Sequence, residues 1–318
     1  MSGMNEKILI SGASGLLGSA LGRALAGRRL PVAQLVRRMP AQQPSDRESI
    51  LWNPSASPAL ADSAVLEGVS AAIHLSGANV GERRWTASYR RELVASRVAS
   101  TRALATALAG LRQKPKALLV ASAVGFYGDR GAEMLDEDSA LGSGFLAELC
   151  QRWEQAADPA REAGIRVAHL RLGVILASGG GALQKMLPAF RLGVGGRLGA
   201  GRQWMSWIAL DDAVRAFLFV LDHPELAGAI NLTAPQAVTN AEFTRTLGRA
   251  LHRPAFFPVP ATALRLAFGQ MADETLLAST MAVPAKLLAS GFTFLQSTLD
   301  SALQTALEPT NFTRGALS

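Results

Sequence analysis

The spacing of apolar residues switches along the chain between two patterns, and this switching predicts an α/β fold. Ile8 to Ile10 form a short apolar run, as expected of a parallel strand that is buried on both faces. From Leu16 to Leu25 the apolar residues instead recur at helical spacing, which is typical of an amphipathic helix. The same reasoning predicts further strands at 32–36, 50–52, 69–75, 117–121, 165–170 and 229–232.

Helices are expected between and after these strands. One long helix is predicted from Thr86 to about Leu111. Near the end of the chain, Thr239 and Glu242 have the spacing of a capping box, and Ser297 with Asp300 marks a similar helix start. The last part of the chain is therefore expected to consist of small helical units.

Three glycines, Gly12, Gly15 and Gly18, follow the first strand and open the first helix. A dinucleotide pyrophosphate needs this arrangement, because glycines let the backbone approach the phosphates and a helix N-terminus offers free N–H groups. Chance spacing is the alternative, since the chain contains 30 glycines. The candidate cofactor contacts in this turn are Gly12, Ser14, Gly15, Leu16, Leu17 and Gly18.

Two arginines, Arg37 and Arg38, stand at the end of the second predicted strand. An acidic residue at this position would accept hydrogen bonds from the adenosine ribose of NAD. A guanidinium can instead hold a 2′-phosphate with two parallel hydrogen bonds. The sequence therefore predicts NADP as the cofactor, with a solvated loop capped by two arginines as the alternative.

Other candidate cofactor contacts follow the later strands. Trp52 ends the third strand and could pack beside the adenine, although a core position is as consistent with the sequence. Arg97 lies beside the apolar stripe of the long helix, where it is a cofactor-phosphate ligand or a surface residue. The remaining candidates stand at the ends of the fourth, fifth and sixth strands: Leu75, Ser76, Gly77, Ser122 and Arg171.

A basic loop just past the fourth strand contains Arg83, Arg84 and Trp85. Open α/β sheets bind their ligands at this edge, so these residues and the single cation of a later apolar helix, Lys185, are candidates for holding an anionic or planar substrate. A solvated basic loop is the alternative. His74 lies inside the fourth strand and is interpreted as a hydrogen-bonded core histidine.

Several segments resemble the extended short-chain dehydrogenases/reductases. Ser11 with the three glycines resembles their TGxxGxxG turn, residues 74–77 resemble their HLAA or HLAG turn, and residues 122–129 resemble their SSxxVYGD segment. Ser122 stands one residue further from Tyr127 than in that pattern, and Ala123 takes the usual serine position. The resemblance implies that the serine hydrogen-bonds the reacting oxygen.

The tyrosine–lysine pair of that family is absent from the sequence. The chain has two tyrosines, Tyr89 and Tyr127, and neither is followed four residues later by a lysine. Matching Glu154 to the family's glutamate places Leu146 at the tyrosine position and Cys150 at the lysine position. The candidates left for proton transfer are Ser122, Tyr127 and Glu148.

Longer segments resemble one divergent branch, the YfcH-like epimerase-family proteins. The matching segments are NVGERRW (79–85), SAVGFYGDRG (122–131), GFLAELCQRWE (144–154), GGRLGAGRQWMSWI (195–208) and PAKLL (284–288). The resemblance implies NADP binding and a Rossmann-type doubly wound parallel sheet with a smaller C-terminal substrate-binding region. We expect residues 1–175, completed by about 207–235, to form the NADP-binding domain, and residues 176–206 and 236–318 to cover the substrate.

Composition and charge narrow the functional classes. A hydrophobic fraction of 49% and a charged fraction of 18% are typical of a globular protein, and no apolar run approaches the roughly 20 residues of a membrane helix. The single cysteine, Cys150, excludes an internal disulfide framework and favours the cytoplasm. The net charge of +7 comes from scattered arginines, so we expect neither a nucleic-acid partner nor a metal site.

Three functions remain in view. The first is an NADP-dependent epimerase or oxidoreductase, monomeric or homodimeric, that acts on a nucleotide sugar or another carbonyl substrate without the tyrosine–lysine pair. The second is a non-catalytic NADP-binding sensor or a regulatory protein related to cell division, since some relatives of this branch are described as division inhibitors. A nucleic-acid binder is supported by the basic charge balance alone.

Overall fold

The structure, a computed structural model, describes residues 7–40, 47–56 and 59–308. Its strands within these ranges are β1 (Lys7–Ser11), β2 (Val32–Val36), β3 (Arg47–Leu51), β4 (Val69–His74), β5 (Ala117–Ala123), β6 (Met134–Leu135), β7 (Arg166–Leu172), β8 (Val174–Leu176), β9 (Trp204–Met205), β10 (Trp207–Ala209), β11 (Gly228–Leu232), β12 (Val238–Thr239) and β13 (Met281–Ala282). The α-helices are α1 (Leu16–Gly27), α2 (Ala87–Val94), α3 (Ser100–Ala109), α4 (Phe145–Gln155), α5 (Asp158–Glu162), α6 (Gly181–Arg191), α7 (Leu210–Asp222), α8 (Asn240–Ala250), α9 (Ala261–Phe268), α10 (Ala285–Ala289) and α11 (Leu299–Leu307).

Seven of the strands form one parallel sheet in the order β11-β7-β5-β4-β1-β2-β3. The chain order reverses between β1 and β4, which makes the crevice at their carboxyl ends the switch point where such sheets bind ligands. The predicted Rossmann-type doubly wound fold is therefore confirmed. The strand at 228–232 completes the sheet by pairing with β7, whereas the division of the chain into domains stays a prediction.

Both faces of the sheet are covered, which explains the continuous apolar run in β1. Ile8 and Ile10 point to the face on which α1 and α7 pack, and Leu9 points to the opposite face with α3 and Trp153 of α4. Each fully buried side chain of this kind contributes about 1.5–3 kcal/mol to folding. Apolar residues are needed at the successive positions Ile8, Leu9 and Ile10 because none of the three faces water.

The C-terminal segments pack onto the sheet and onto each other. Helices α6, α8 and α11 enclose a third apolar cluster around Trp207, Phe243 and Leu303. At the edge strand β11, Lys286 Nζ donates to the carbonyl oxygen of Ala229 at 2.9 Å. No helix of the described ranges is long and apolar enough to cross a membrane.

Some predicted elements have different limits in the structure. The helix expected over residues 86–111 is α2 and α3 joined by one π-helical turn, Ala95–Ala99. The helix start predicted at Thr239 is confirmed, because its side chain accepts the Glu242 N–H as an N-cap. The helix start expected at Ser297 is wrong: Thr298 caps α11, since its hydroxyl accepts the Ser301 N–H.

Candidate functional site

The three glycines of the turn between β1 and α1 have different structural roles. Gly12 adopts φ +73°, and a Cβ there would lie 2.8 Å from the Leu75 carbonyl carbon. A Cβ at Gly18 would overlap the Gly12 carbonyl oxygen, whereas one at Gly15 would meet only that oxygen, at 3.4 Å. Gly12 and Gly18 are therefore required by the fold of the turn, and Gly15 leaves the space above it open.

Helix α1 begins at this turn without a side-chain cap. Gly15 is its N-cap residue, and among the described residues no side chain accepts a hydrogen bond from the first N–H groups of the helix. The Gly15 N–H itself donates to the Gly12 carbonyl oxygen at 3.1 Å. The N–H groups of Leu16, Leu17 and Gly18, at the positive end of the helix dipole, therefore remain available to an anion.

Arg37 and Arg38 follow β2 directly, and both are exposed. Within the described residues, neither side chain forms a hydrogen bond or an ion pair. Two guanidinium groups without a partner in the described ranges thus lie at the end of β2, the strand that neighbours β1 in the sheet. Their position leaves both able to pair with a phosphate.

His74, at the end of β4, connects the two strands that flank the switch point. Its Nδ1 is 2.6 Å from Ser11 Oγ, and its Nε2 is 3.2 Å from Ser100 Oγ. Burial lowers the pKa of His74 to about 3, so the ring is neutral at physiological pH. The interpretation of His74 as a core histidine is confirmed.

Trp52 does not face an open cleft. Only 3% of the residue is exposed, and it packs within the apolar cluster on the α3 face of the sheet. Its ring lies edge-on to the His74 ring, with 6.1 Å between the centroids. The expectation that Trp52 packs beside an adenine is corrected accordingly, because its indole presents almost no free surface.

Arg171, at the end of β7, is occupied by protein groups. Its Nε and Nη2 donate to the two carboxylate oxygens of Glu154 at 2.9 and 3.0 Å, and its Nη1 donates to the Tyr127 hydroxyl at 3.0 Å. Burial opposes the charged form, but Glu154 and Tyr127 outweigh it, so the pKa of Arg171 is raised. Arg171 is thus a structural cation, which corrects its expected place beside the cofactor.

Tyr127 is completely buried, and its hydroxyl donates to Asn231 Oδ1 at 2.7 Å. Burial raises the pKa of Tyr127, and nearby Arg171 offsets only part of that effect. A proton carrier must be accessible to its substrate, and the Tyr127 side chain has no exposed surface. The expectation of a catalytic Tyr127 is therefore corrected: the phenol is a buried link in a polar network.

The other two proton-transfer candidates are also placed apart from an open site. Ser122 is 2% exposed and donates to Glu154 Oε1 at 2.7 Å. Glu148 lies on the exposed side of α4 and forms no hydrogen bond through its carboxylate within the described residues. The structure thus places Ser122 and Tyr127 in one buried network, linked through Glu154 and Arg171, and leaves Glu148 outside it.

Ser122, Tyr127 and Arg171 belong to a buried polar network that the sequence did not predict. Glu137 is buried and accepts hydrogen bonds from the backbone N–H groups of Asn231 and Lys286, at 3.0 and 3.2 Å. The available signal was a charged or polar residue inside an apolar strand, as at Arg171 and Asn231. Such a residue needs a buried partner. Glu154 is the partner of Arg171, whereas Asn231 Oδ1 accepts from the Tyr127 hydroxyl and Asn231 Nδ2 donates to the Val283 carbonyl oxygen.

The two positions matched to the family's tyrosine and lysine are apolar or neutral. The Leu146 side chain lies against Gly125, where a Cβ would be 2.7 Å from it. Cys150 is fully buried, and burial raises the pKa of its thiol to about 12. Neither side chain can exchange a proton at neutral pH.

The basic loop after β4 is tied to its surroundings. Trp85 is 6% exposed and donates from Nε1 to the Val80 carbonyl oxygen at 2.8 Å, so its expected contact with substrate is corrected to a role in the loop's core. Arg84 Nη1 donates to the Leu266 carbonyl oxygen at 3.1 Å, and Lys185 Nζ donates to the Gly81 carbonyl oxygen at 2.8 Å.

Arg83 and Arg97 flank this loop in different ways. Arg83 is exposed, lies 4.5 Å from the Tyr89 ring centroid and is 3.8 Å from a Glu92 carboxylate oxygen. Arg97 lies against Gly77, where a Cβ would be 3.1 Å from its guanidinium carbon. The segment after β4, Leu75 to Gly77, therefore lies between the glycine turn after β1 and the Arg97 side chain.

Comparison with known proteins agrees with this architecture. Residues 8–232 match the model of the NAD dependent epimerase/dehydratase family, and residues 259–306 match a domain of unknown function, DUF1731. An epimerase family protein of Mycobacterium bovis is 44% identical over 94% of this chain and 97% of its own.

Two solved structures are similar along almost the whole chain. The structure of human epimerase family protein SDR39U1 with NADPH has a TM-score of 0.83 and 32% identity, covering 94% of this chain and 98% of its own. A nucleoside-diphosphate sugar epimerase of Corynebacterium glutamicum has a TM-score of 0.76 and 35% identity, covering 95% of this chain and 58% of its own. The chain therefore belongs to the NAD dependent epimerase/dehydratase family, in the branch that carries the DUF1731 region.

Proposed function

We propose that this protein binds NADP(H) in the crevice above β1 and β4. The observation that carries the proposal is the combination of an uncapped α1 N-terminus with Arg37 and Arg38 at the end of β2, which have no partner among the described residues. The helix N-terminus would bind the pyrophosphate, and the two arginines would bind the phosphate on the 2′-hydroxyl of the adenosine ribose. The NADPH in the human relative's structure supports the same choice.

The residues fit this cofactor group by group. Gly12, Ser14, Gly15, Leu16, Leu17 and Gly18 form the turn that would hold the pyrophosphate. Arg37 and Arg38 would hold the 2′-phosphate, and the backbone of Leu75, Ser76 and Gly77 would border the ribose. The bound nicotinamide supplies hydride transfer, which is the chemistry shared by epimerases and oxidoreductases of this type.

We also propose that an anionic carbonyl substrate, such as a nucleotide sugar, occupies the space between the basic loop and the C-terminal helices. Arg83, Arg84 and Lys185 carry three positive charges there, and Glu92 is the acid paired with Arg83, at 3.8 Å. An epimerase of nucleoside-diphosphate sugars among the similar structures supports this class. The buried thiol of Cys150 fits a reducing cytoplasm.

A second function is favoured by a specific observation. Leu146 and Cys150 offer no exchangeable proton, and Ser122 and Tyr127 are buried in hydrogen bonds with other protein groups. A protein that binds NADPH and reports its level to a partner needs the cofactor site alone. We therefore propose the non-catalytic sensor as the alternative to the enzyme.

One experiment separates the two functions. NADPH is titrated into the wild-type protein by calorimetry, and the same preparation is then supplied with NADPH and a panel of nucleotide sugars and simple carbonyl compounds. Tight NADPH binding with turnover supports the enzyme. Tight NADPH binding without turnover on any of them supports the sensor, and failure to bind NADPH or NADH contradicts both.

A further inference from the structure

Arg97 is partly exposed as a residue, but part of its guanidinium is enclosed by the protein. Its Nη1 is buried and has no hydrogen-bond partner within the described residues. The guanidinium stacks over the Trp153 ring, 5.0 Å from the centroid, and its other side lies against Gly77. Burial lowers the pKa of Arg97, and the ionisable groups that oppose this effect are Cys150 and Tyr89, neither of which is charged at neutral pH.

Enclosing the Arg97 guanidinium without an acceptor lowers the stability of the folded protein. A buried charge without a partner destabilises the folded protein, and a stacked ring returns only part of that free energy. Arg97 also sits in the π-helical turn Ala95–Ala99, a rare backbone form that is frequent at functional sites. A guanidinium held in this position can donate hydrogen bonds to an acceptor group of a bound ligand.

The topology shows which part of a dinucleotide would arrive there. Arg37 and Arg38 mark the adenosine side, beyond β2, and the uncapped N-terminus of α1 marks the pyrophosphate at β1. A dinucleotide crosses the switch point, so its second ribose extends towards β4 and β5. Arg97 lies on that side, between Gly77 after β4 and Cys150 of α4.

We infer that Arg97 donates hydrogen bonds to the hydroxyl groups of the nicotinamide-side ribose and so supplies the cation that Cys150 cannot supply. The inference rests on the proposed cofactor site. Cys150 occupies the position matched to the family's lysine, and the neighbouring Arg97 approaches it from another helix. The pyrophosphate already has the N–H groups of α1, which leaves the ribose beyond it for Arg97.

The test compares three ligands on wild type and Arg97→Met by calorimetry. 2′-Phospho-ADP carries all the phosphates but no second ribose, 2′-phospho-ADP-ribose adds that ribose, and NADPH adds the nicotinamide. Arg97→Met is expected to weaken NADPH and 2′-phospho-ADP-ribose by about tenfold or more, the range for a hydrogen bond to a charged group, and to leave 2′-phospho-ADP within about twofold. Arg97→Lys, which keeps the charge, is expected to be intermediate.

Thermal unfolding of the ligand-free variants separates this role from a structural one. Since Arg97→Met removes a desolvated charge, its melting temperature is expected to equal or exceed that of wild type. Arg102→Met, at an exposed arginine of α3, is the matched control and should change neither stability nor affinity.

Three results would overturn the inference. Equal NADPH affinity of wild type and Arg97→Met would do so while the proposed cofactor site stands, and so would an equal loss for all three ligands. A ligand-free Arg97→Met that melts well below wild type would assign the arginine to the fold. Failure of the wild type to bind NADPH would instead overturn the proposed function, and this inference with it.

Discussion

At the scale of single residues, the three glycines of the turn after β1 are not equivalent, and the difference defines a clean test of the cofactor site. Gly15→Val should fold, because the backbone at Gly15 has φ −72° and a Cβ would meet only one atom, at 3.4 Å. Its side chain would stand where a pyrophosphate must approach, so NADPH affinity should fall at least tenfold by calorimetry.

Gly12→Val makes the contrasting variant. Its positive φ and the Leu75 backbone 2.8 Å from a new Cβ predict a loss of more than about 2 kcal/mol of stability. Gly27→Ala, at the end of α1 with nothing near a new Cβ, should change neither property. A folded Gly15→Val that binds NADPH like wild type would contradict the placement of the pyrophosphate.

At the scale of secondary-structure elements, the buried ion pair between Glu154 of α4 and Arg171 of β7 fixes the helix on the sheet. Glu154→Gln leaves the guanidinium buried with a neutral partner, so a loss of about 3–5 kcal/mol in the free energy of unfolding is expected. Denaturant titration measures it. Glu148→Gln on the exposed side of the same helix should stay within about 0.5 kcal/mol of wild type.

Similar small effects of the two substitutions would show that the ion pair does not hold α4. The pair also explains why the proton-transfer candidates could not be placed from the sequence. Ser122 and Tyr127 follow a strand end that is typical of active sites, but both turn towards Glu154 and Arg171. That orientation depends on partners that lie 32 residues away in the chain for Ser122 and 44 for Tyr127.

The elements themselves were largely predictable because apolar periodicity and glycines are local signals. The seven sheet strands, the glycine turn at Gly12 and the cap at Thr239 follow from residues next to one another. The interpretation of His74 was also correct, since a histidine inside an apolar strand has to be satisfied there. Burial of Trp52 and Arg171 depends on neighbouring strands and helices, which no local pattern reveals.

At the scale of the whole molecule, two buried histidines make stability depend on pH. Burial lowers the pKa of His74 to about 3 and that of His169 to about 4. Below the unfolded value of about 6.5, the unfolded chain binds protons that the folded protein does not, so stability falls as the pH falls. Between pH 6.5 and 5 each histidine should remove up to about 2 kcal/mol.

Denaturant titrations at pH 7 and pH 5 measure this loss directly. His169→Leu should reduce the difference between the two pH values by up to about 2 kcal/mol, since that position no longer takes up a proton on unfolding. If the stability of His169→Leu and that of wild type depended on pH in the same way, His169 would not be neutral in the folded protein and protonated in the unfolded chain.

The proposed preference for NADPH is tested by measuring the ratio of the NADH and NADPH dissociation constants. Calorimetry is run on wild type, Arg37→Ala, Arg38→Ala and the double variant, with Arg102→Ala as control. We expect wild type to prefer NADPH and the double variant to lose about tenfold or more of that preference, which corresponds to the free energy of a charge-assisted hydrogen bond. A preference unchanged in all three variants would contradict this expectation.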